Sequence, residues 1–64
     1  MSKSELAQRY LPYSSVEAAV KQLGRWIKSR PELMMQLAAL GYRPTQKNFT
    51  PAQVKAITDI LGEP

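Results

Sequence analysis

The sequence predicts an all-α domain of four short helices around one core, and three observations carry that expectation. With 64 residues and 44% apolar side chains, the chain suffices for one core and no second domain. Three S/T-x-x-E/Q patterns, Ser2–Glu5, Ser14–Glu17 and Thr50–Gln53, each stand just before an apolar-periodic segment. In such a capping box the hydroxyl accepts from the N3 amide while the N3 side chain returns to the cap. Pro31 and Pro51 stand where helices begin and Gly41 and Gly62 where they end, the usual asymmetry of helix termini.

The first helix is expected over 3–11, with Leu6, Ala7 and Tyr10 inward and Ser4, Glu5, Gln8 and Arg9 outward. Pro12 ends it, because a residue before proline is pushed out of the helical region. Pro12-Tyr13-Ser14 is then a tight turn into a second helix over 15–29. There Val16, Val20, Leu23 and Ile27 follow at i, i+4, i+7 and i+11 and form one stripe. Gly24 inside this helix costs about 1 kcal/mol relative to Ala and is read as marking a close helix crossing.

A third helix is expected over 31–40, and Glu32 to Leu40 is apolar almost all the way round. Such a helix either sits centrally or shows apolar surface to a partner. Residues 42–49 form a basic connector, either a minimal two-stranded wing or an irregular loop, with Tyr42 and Phe49 pinning it to the core. The fourth helix, over 51–61, takes Thr50 as cap and buries Val54, Ile57, Ile60 and Leu61.

Composition narrows the function. The chain has no cysteine and no histidine, which removes disulfides, thiolate sites, zinc fingers and histidine acid–base chemistry. The carboxylates Glu5, Glu17, Glu32, Asp59 and Glu63 show no metal-ligand spacing, and no Gly-rich phosphate loop lies near them. Neither an enzyme, a metal nor a cofactor is expected. No apolar run spans a bilayer and no signal-like segment opens the chain, so a cytoplasmic protein with no membrane partner is expected. Nine Lys/Arg against five Asp/Glu leave a formal charge of +4, which favours an acidic partner.

Projected at 100° per residue, Lys21, Arg25 and Lys28 fall within about 60° of one another, nearly opposite the apolar stripe. Gln22 flanks them on one side and Glu17 on the other, with Glu17 and Lys21 at ion-pair spacing. A short helix, a tight turn and a helix with a basic outer face is the order found in helix-turn-helix readers of duplex DNA. Arg and Gln read base edges, Lys neutralises phosphates, and Arg43 and Lys47 of the connector would lie on the backbone beside the groove. The candidate nucleic-acid set is Lys21, Gln22, Arg25, Lys28, Arg43 and Lys47. The same helix is equally readable as an ordinary solvated face. Met35 and Trp26 are candidate partner contacts, for a homodimer or another protein, although Trp26 also suits a seam between the second and third helices.

Two resemblances add to this reading. Lys3-Ser4-Glu5-Leu6-Ala7, Tyr10-Leu11-Pro12, Arg25-Trp26-Ile27 and Pro31-Glu32-Leu33 are similar to a short bacterial family catalogued as a domain of unknown function. Gly41-Tyr42-Arg43, Phe49-Thr50-Pro51-Ala52-Gln53-Val54 and Leu61-Gly62-Glu63-Pro64 continue that likeness over nearly the full chain. It implies no particular activity. More loosely, Glu5-Leu6-Ala7, the turn, Leu23 with Arg25-Trp26, and Gly41-Tyr42-Arg43 resemble MerR and excisionase-like winged helix-turn-helix proteins. That resemblance implies DNA binding, with Lys21, Gln22 and Arg25 on a recognition helix and Arg43 on a wing strand. The chain departs from that pattern through its 31–40 helix and its short segment between Gly-Tyr-Arg and the last helix.

Overall fold

The computed structural model describes residues 1–64 and is all-α. Its four helices are α1 (Lys3–Tyr10), α2 (Val16–Lys28), α3 (Pro31–Ala39) and α4 (Pro51–Leu61). α1 packs along α2, and α3 bridges α2 and α4. Every helix contributes to one core: Leu6 and Ala7, Ala19, Leu23 and Ile27, Leu33 and Leu37, and Ala56 and Ile57, closed by Phe49 from the connector.

The helix ends follow local chemistry. Ser2 accepts from the Glu5 amide at 3.0 Å, and Thr50 with Gln53 completes a reciprocal capping box at α4. Pro31 and Pro51 each occupy the first turn of their helix. α3 ends in a Schellman motif: the Tyr42 amide donates to the Leu37 carbonyl at 2.8 Å and the Gly41 amide to Ala38 at 3.1 Å. Gly41 takes φ +80°, which a glycine adopts without a Cβ penalty.

The second cap differs by one residue from the expected one. Ser15, not Ser14, accepts from the amide three residues on, that of Ala18, at 3.2 Å. The Ser14 amide is donated back to the Leu11 carbonyl at 3.2 Å, so Ser14 belongs to the turn and its spacing to Glu17 forms no box. Val16 lies on the apolar stripe by angle yet is 46% exposed, because the first turn of α2 overhangs the core. The buried stripe is Ala19, Leu23 and Ile27, with Val20 half-buried beside it. α4 is likewise turned toward Ala56, Ile57 and Gln53, leaving Val54, Ile60 and Leu61 partly covered.

Residues 42–49 form an irregular connector and not a two-stranded wing. Their strand-like pairing is made with the N-terminus: Ser2 and Asn48 form one antiparallel bridge, with Lys3 N–H to the Lys47 carbonyl at 3.0 Å and Phe49 N–H to the Met1 carbonyl at 2.7 Å. Pro44 lacks an N–H, and the Gln46 side chain takes what a hairpin partner would. Its Oε1 accepts from the Arg43 amide at 2.9 Å and its Nε2 donates to the Asn48 carbonyl at 2.5 Å.

Candidate functional site

The outer face of α2 forms as the periodicity requires. Lys21, Arg25 and Lys28 are exposed opposite the buried stripe, and Gln22 is half-buried at its edge. The two ion pairs of the chain, Arg9–Glu5 at 3.9 Å and Arg30–Glu32 at 4.0 Å, lie elsewhere. The i,i+4 spacing of Glu17 and Lys21 does not close into a salt bridge. The cations of α2 therefore face solvent without a carboxylate partner. Arg25 and Lys28 also stand in the last turns of the helix, where its dipole favours positive charge.

The connector lies beside this helix and is fastened to the N-terminus, to the end of α3 and to α4. Tyr42, placed by the Schellman motif, stacks on Phe49 with ring centroids 6.0 Å apart and planes at 23°. The Lys3 ammonium lies 5.2 Å from the centre of the Tyr42 ring and donates to the Pro44 carbonyl at 2.6 Å. Burial lowers the Lys3 pKa and raises that of the Tyr42 phenol. Gln53, 2% exposed, holds the connector from below. Its Oε1 accepts from Gln46 Nε2 at 2.7 Å and from the Thr50 amide at 3.1 Å, and its Nε2 donates to the Leu40 carbonyl at 3.1 Å. Every buried side-chain polar atom in the chain has a partner.

Between α2 and the connector runs an open groove of about 180 Å³. Val20, Gly24 and Ile27 form its α2 side, Tyr42 and Pro44 its connector side, with Met34 of α3 between them and Lys3 and Lys28 also lining it. Gly24 marks no close helix crossing: a Cβ built there meets nothing within 4 Å. The glycine is part of the groove surface.

The predicted site residues thus fall into two groups. Lys21, Gln22, Arg25 and Lys28 share α2, and exposed Arg43 stands between the groove residues Tyr42 and Pro44. Lys47 is exposed, but its backbone pairs with the start of α1 and it does not line the groove. Of the partner candidates, Met35 is 75% exposed on α3. Trp26 is half-buried and meets Tyr10 of α1 edge-on, centroids 5.9 Å apart at 80°. With Tyr10, Ser29, Arg30 and Leu61 it lines a second cavity of about 250 Å³. Lys3 as an anchor of the connector, Gly24 as groove surface and Gln53 as a buried strut are not legible in the sequence, because those roles depend on groups brought near only by packing, or on open space.

No curated protein and no solved structure matches the chain. A family model described as a domain of unknown function (DUF4248) matches residues 1–64, and the chain belongs to that family.

Proposed function

We propose that this member of the DUF4248 family is a small DNA-binding accessory or regulatory protein of the cytoplasm, and a binding module rather than an enzyme. α1, the turn and α2 would act as a helix-turn-helix, with α2 as the recognition helix. The observation that carries the reading is the set of solvent-facing cations Lys21, Arg25 and Lys28, none of them ion-paired, on the face of α2 opposite the core, with Glu17 at its edge. Arg43, exposed between the groove residues Tyr42 and Pro44, would extend the positive surface past the helix edge. The likeness to MerR and excisionase-like proteins supports the same reading through α1, the turn and α2. The wing does not carry over, so Arg43 would reach a phosphate from a loop. Lys47, on the connector where it pairs with the start of α1, would be a more distant phosphate contact.

Phosphate neutralisation releases counterions, so affinity should fall with salt. Fluorescence anisotropy with a labelled duplex at low and moderate salt tests the proposal. The expected dissociation constant lies at about 10⁻⁴–10⁻⁶ M for nonspecific DNA at physiological salt, with a log–log salt slope near about −4 for four to five phosphate contacts. An Arg25→Ala/Lys28→Ala double variant should bind more weakly, with a slope shallower by about 1 for the lost Lys28 phosphate contact. Absence of binding at low salt, or equal binding by the double variant, overturns the reading.

A second reading is favoured by α3 and its C-cap, where Met35 is 75% exposed and Leu40 41% exposed. An unpartnered apolar face of this kind suits a homodimer or protein partner without nucleic acid. Sedimentation equilibrium separates the two: a dimer that Met35→Glu dissociates supports the interaction role, whereas a monomer at high concentration counts against it.

A further inference from the structure

We infer that the groove over Gly24 is the track for one strand of the duplex backbone, an assignment that rests on the DNA-binding reading and places the strand within it. Gly24 is the observation that has no explanation inside the fold. It sits in the middle of α2 with ordinary helical backbone, where alanine is the better residue, and a Cβ there meets no atom within 4 Å. No packing, turn or positive φ requires glycine. The missing side chain does one thing: it lets the backbone of α2 be approached closely from the groove.

The surroundings fit a sugar–phosphate chain. Gly24 lies between Lys21 and Lys28 at i, i+3 and i+7, so a cation stands one turn to either side of the gap on the same flank of α2. Lys28 is exposed on the groove margin, and Lys21 is exposed one turn before Gly24. Across the groove, the Lys3 ammonium is held by the Pro44 carbonyl and the Tyr42 ring, a charge fixed in place. The surface between these cations is apolar, from Val20, Ile27 and Tyr42. Deoxyribose presents apolar C–H edges between successive phosphates, and this alternation of apolar surface and cation matches it. Arg25 and Gln22 lie further round the helix, away from the groove, where base edges would be met if the strand lies over Gly24.

The test is a size series at one position, Gly24→Ala and Gly24→Leu, both compatible with helical backbone. Two readouts are taken: thermal unfolding, and anisotropy with the same labelled duplex. The Gly24→Ala protein should melt about 4–8 °C higher, since the fold gains a better helix former and loses no contact. Its DNA affinity should fall about three- to tenfold, the scale of one lost phosphate contact, and Gly24→Leu should fall further. A protein made more stable and a weaker binder at once identifies Gly24 as a point of contact with the strand. If the wild-type protein binds duplex DNA and the leucine variant binds equally, the groove assignment is overturned while the DNA-binding reading stands. If the wild-type protein fails to bind at low salt, both fall. If poly-glutamate binding is blocked by Gly24→Leu while duplex binding is unaffected, the groove belongs to an acidic peptide and the assignment is overturned.

Discussion

α2 and α3 are built by the same rule on the inside and by opposite rules on the outside. Each turns a leucine-containing stripe into one core, Leu23 and Ile27 from α2 and Leu33 and Leu37 from α3. Outward, α2 presents Lys21, Arg25 and Lys28, whereas α3 presents Met35, Ala38 and Ala39 beside Glu32 and Gln36. Two polarities of solvent-facing surface on neighbouring helices mean that burial explains half of each helix. For α2 the other half is charge left without a carboxylate partner. For α3 it is apolar area left uncovered, and a 64-residue domain has little such area to leave outside.

Five measurements test that contrast, in order of decreasing effect. The largest effect is expected inside α3: Leu37→Ala should destabilise by about 2–5 kcal/mol in urea unfolding, whereas Met35→Ala, one helical face away, should stay within about 0.5 kcal/mol. A large loss at Met35 would mean that its face is covered, by a second copy of the chain. Next is Gln53→Leu, which strips partners from the Leu40 carbonyl and the Thr50 amide and should cost about 1–3 kcal/mol by the same method. The caps follow. Thr50→Ala and Ser15→Ala should each lose about 0.5–2 kcal/mol of thermal stability, and Ser14→Ala much less, since Ser15 and not Ser14 caps α2.

On the α2 face, Lys21→Ala should leave urea stability within about 0.5 kcal/mol while weakening duplex binding, which separates charge held for a ligand from charge held for the fold. The smallest effect is alkaline. Burial raises the phenol pKa values of Tyr10 and Tyr42 above 10.0, for Tyr10 with a further contribution from Glu63. The folded state therefore retains those protons longer than the unfolded chain, and their contribution is complete below pH 10 and lost as pH rises through the folded values. Tyr10 also loses its donated hydrogen bond to the Gly62 carbonyl on ionisation. Lys3 has the opposite sign, since its lowered pKa gives stability that is present above 10.5 and lost as pH falls through the folded value. With two groups against one, the melting temperature should fall from pH 9 to pH 11, and less steeply in Tyr10→Phe/Tyr42→Phe.

The parts of this molecule that could be read in advance are those whose causes lie within one helical turn. Prolines at first-turn positions, hydroxyl caps three residues before a glutamine or glutamate, and glycines at φ +80° and +88° act through neighbouring amides and carbonyls, so four helices and their ends were legible within a residue or two. The basic face of α2 was legible for the same reason, because an angular projection needs only spacing. Tertiary structure alone decided the rest. Whether the connector pairs with itself or with Met1 to Lys3 is a choice between partners more than 40 residues apart, and no local propensity separates them. Gln53 was readable as a capping residue but not as a buried strut, since its two outer partners, Gln46 and Leu40, reach it only once α3 and the connector are in place. By its spacing Gly24 suits a helix crossing, and only packing decides that the space above it is empty. Sequence order sets hydrogen bonds that close within a turn, whereas a groove is the gap left between elements, and a gap exists only after they have packed.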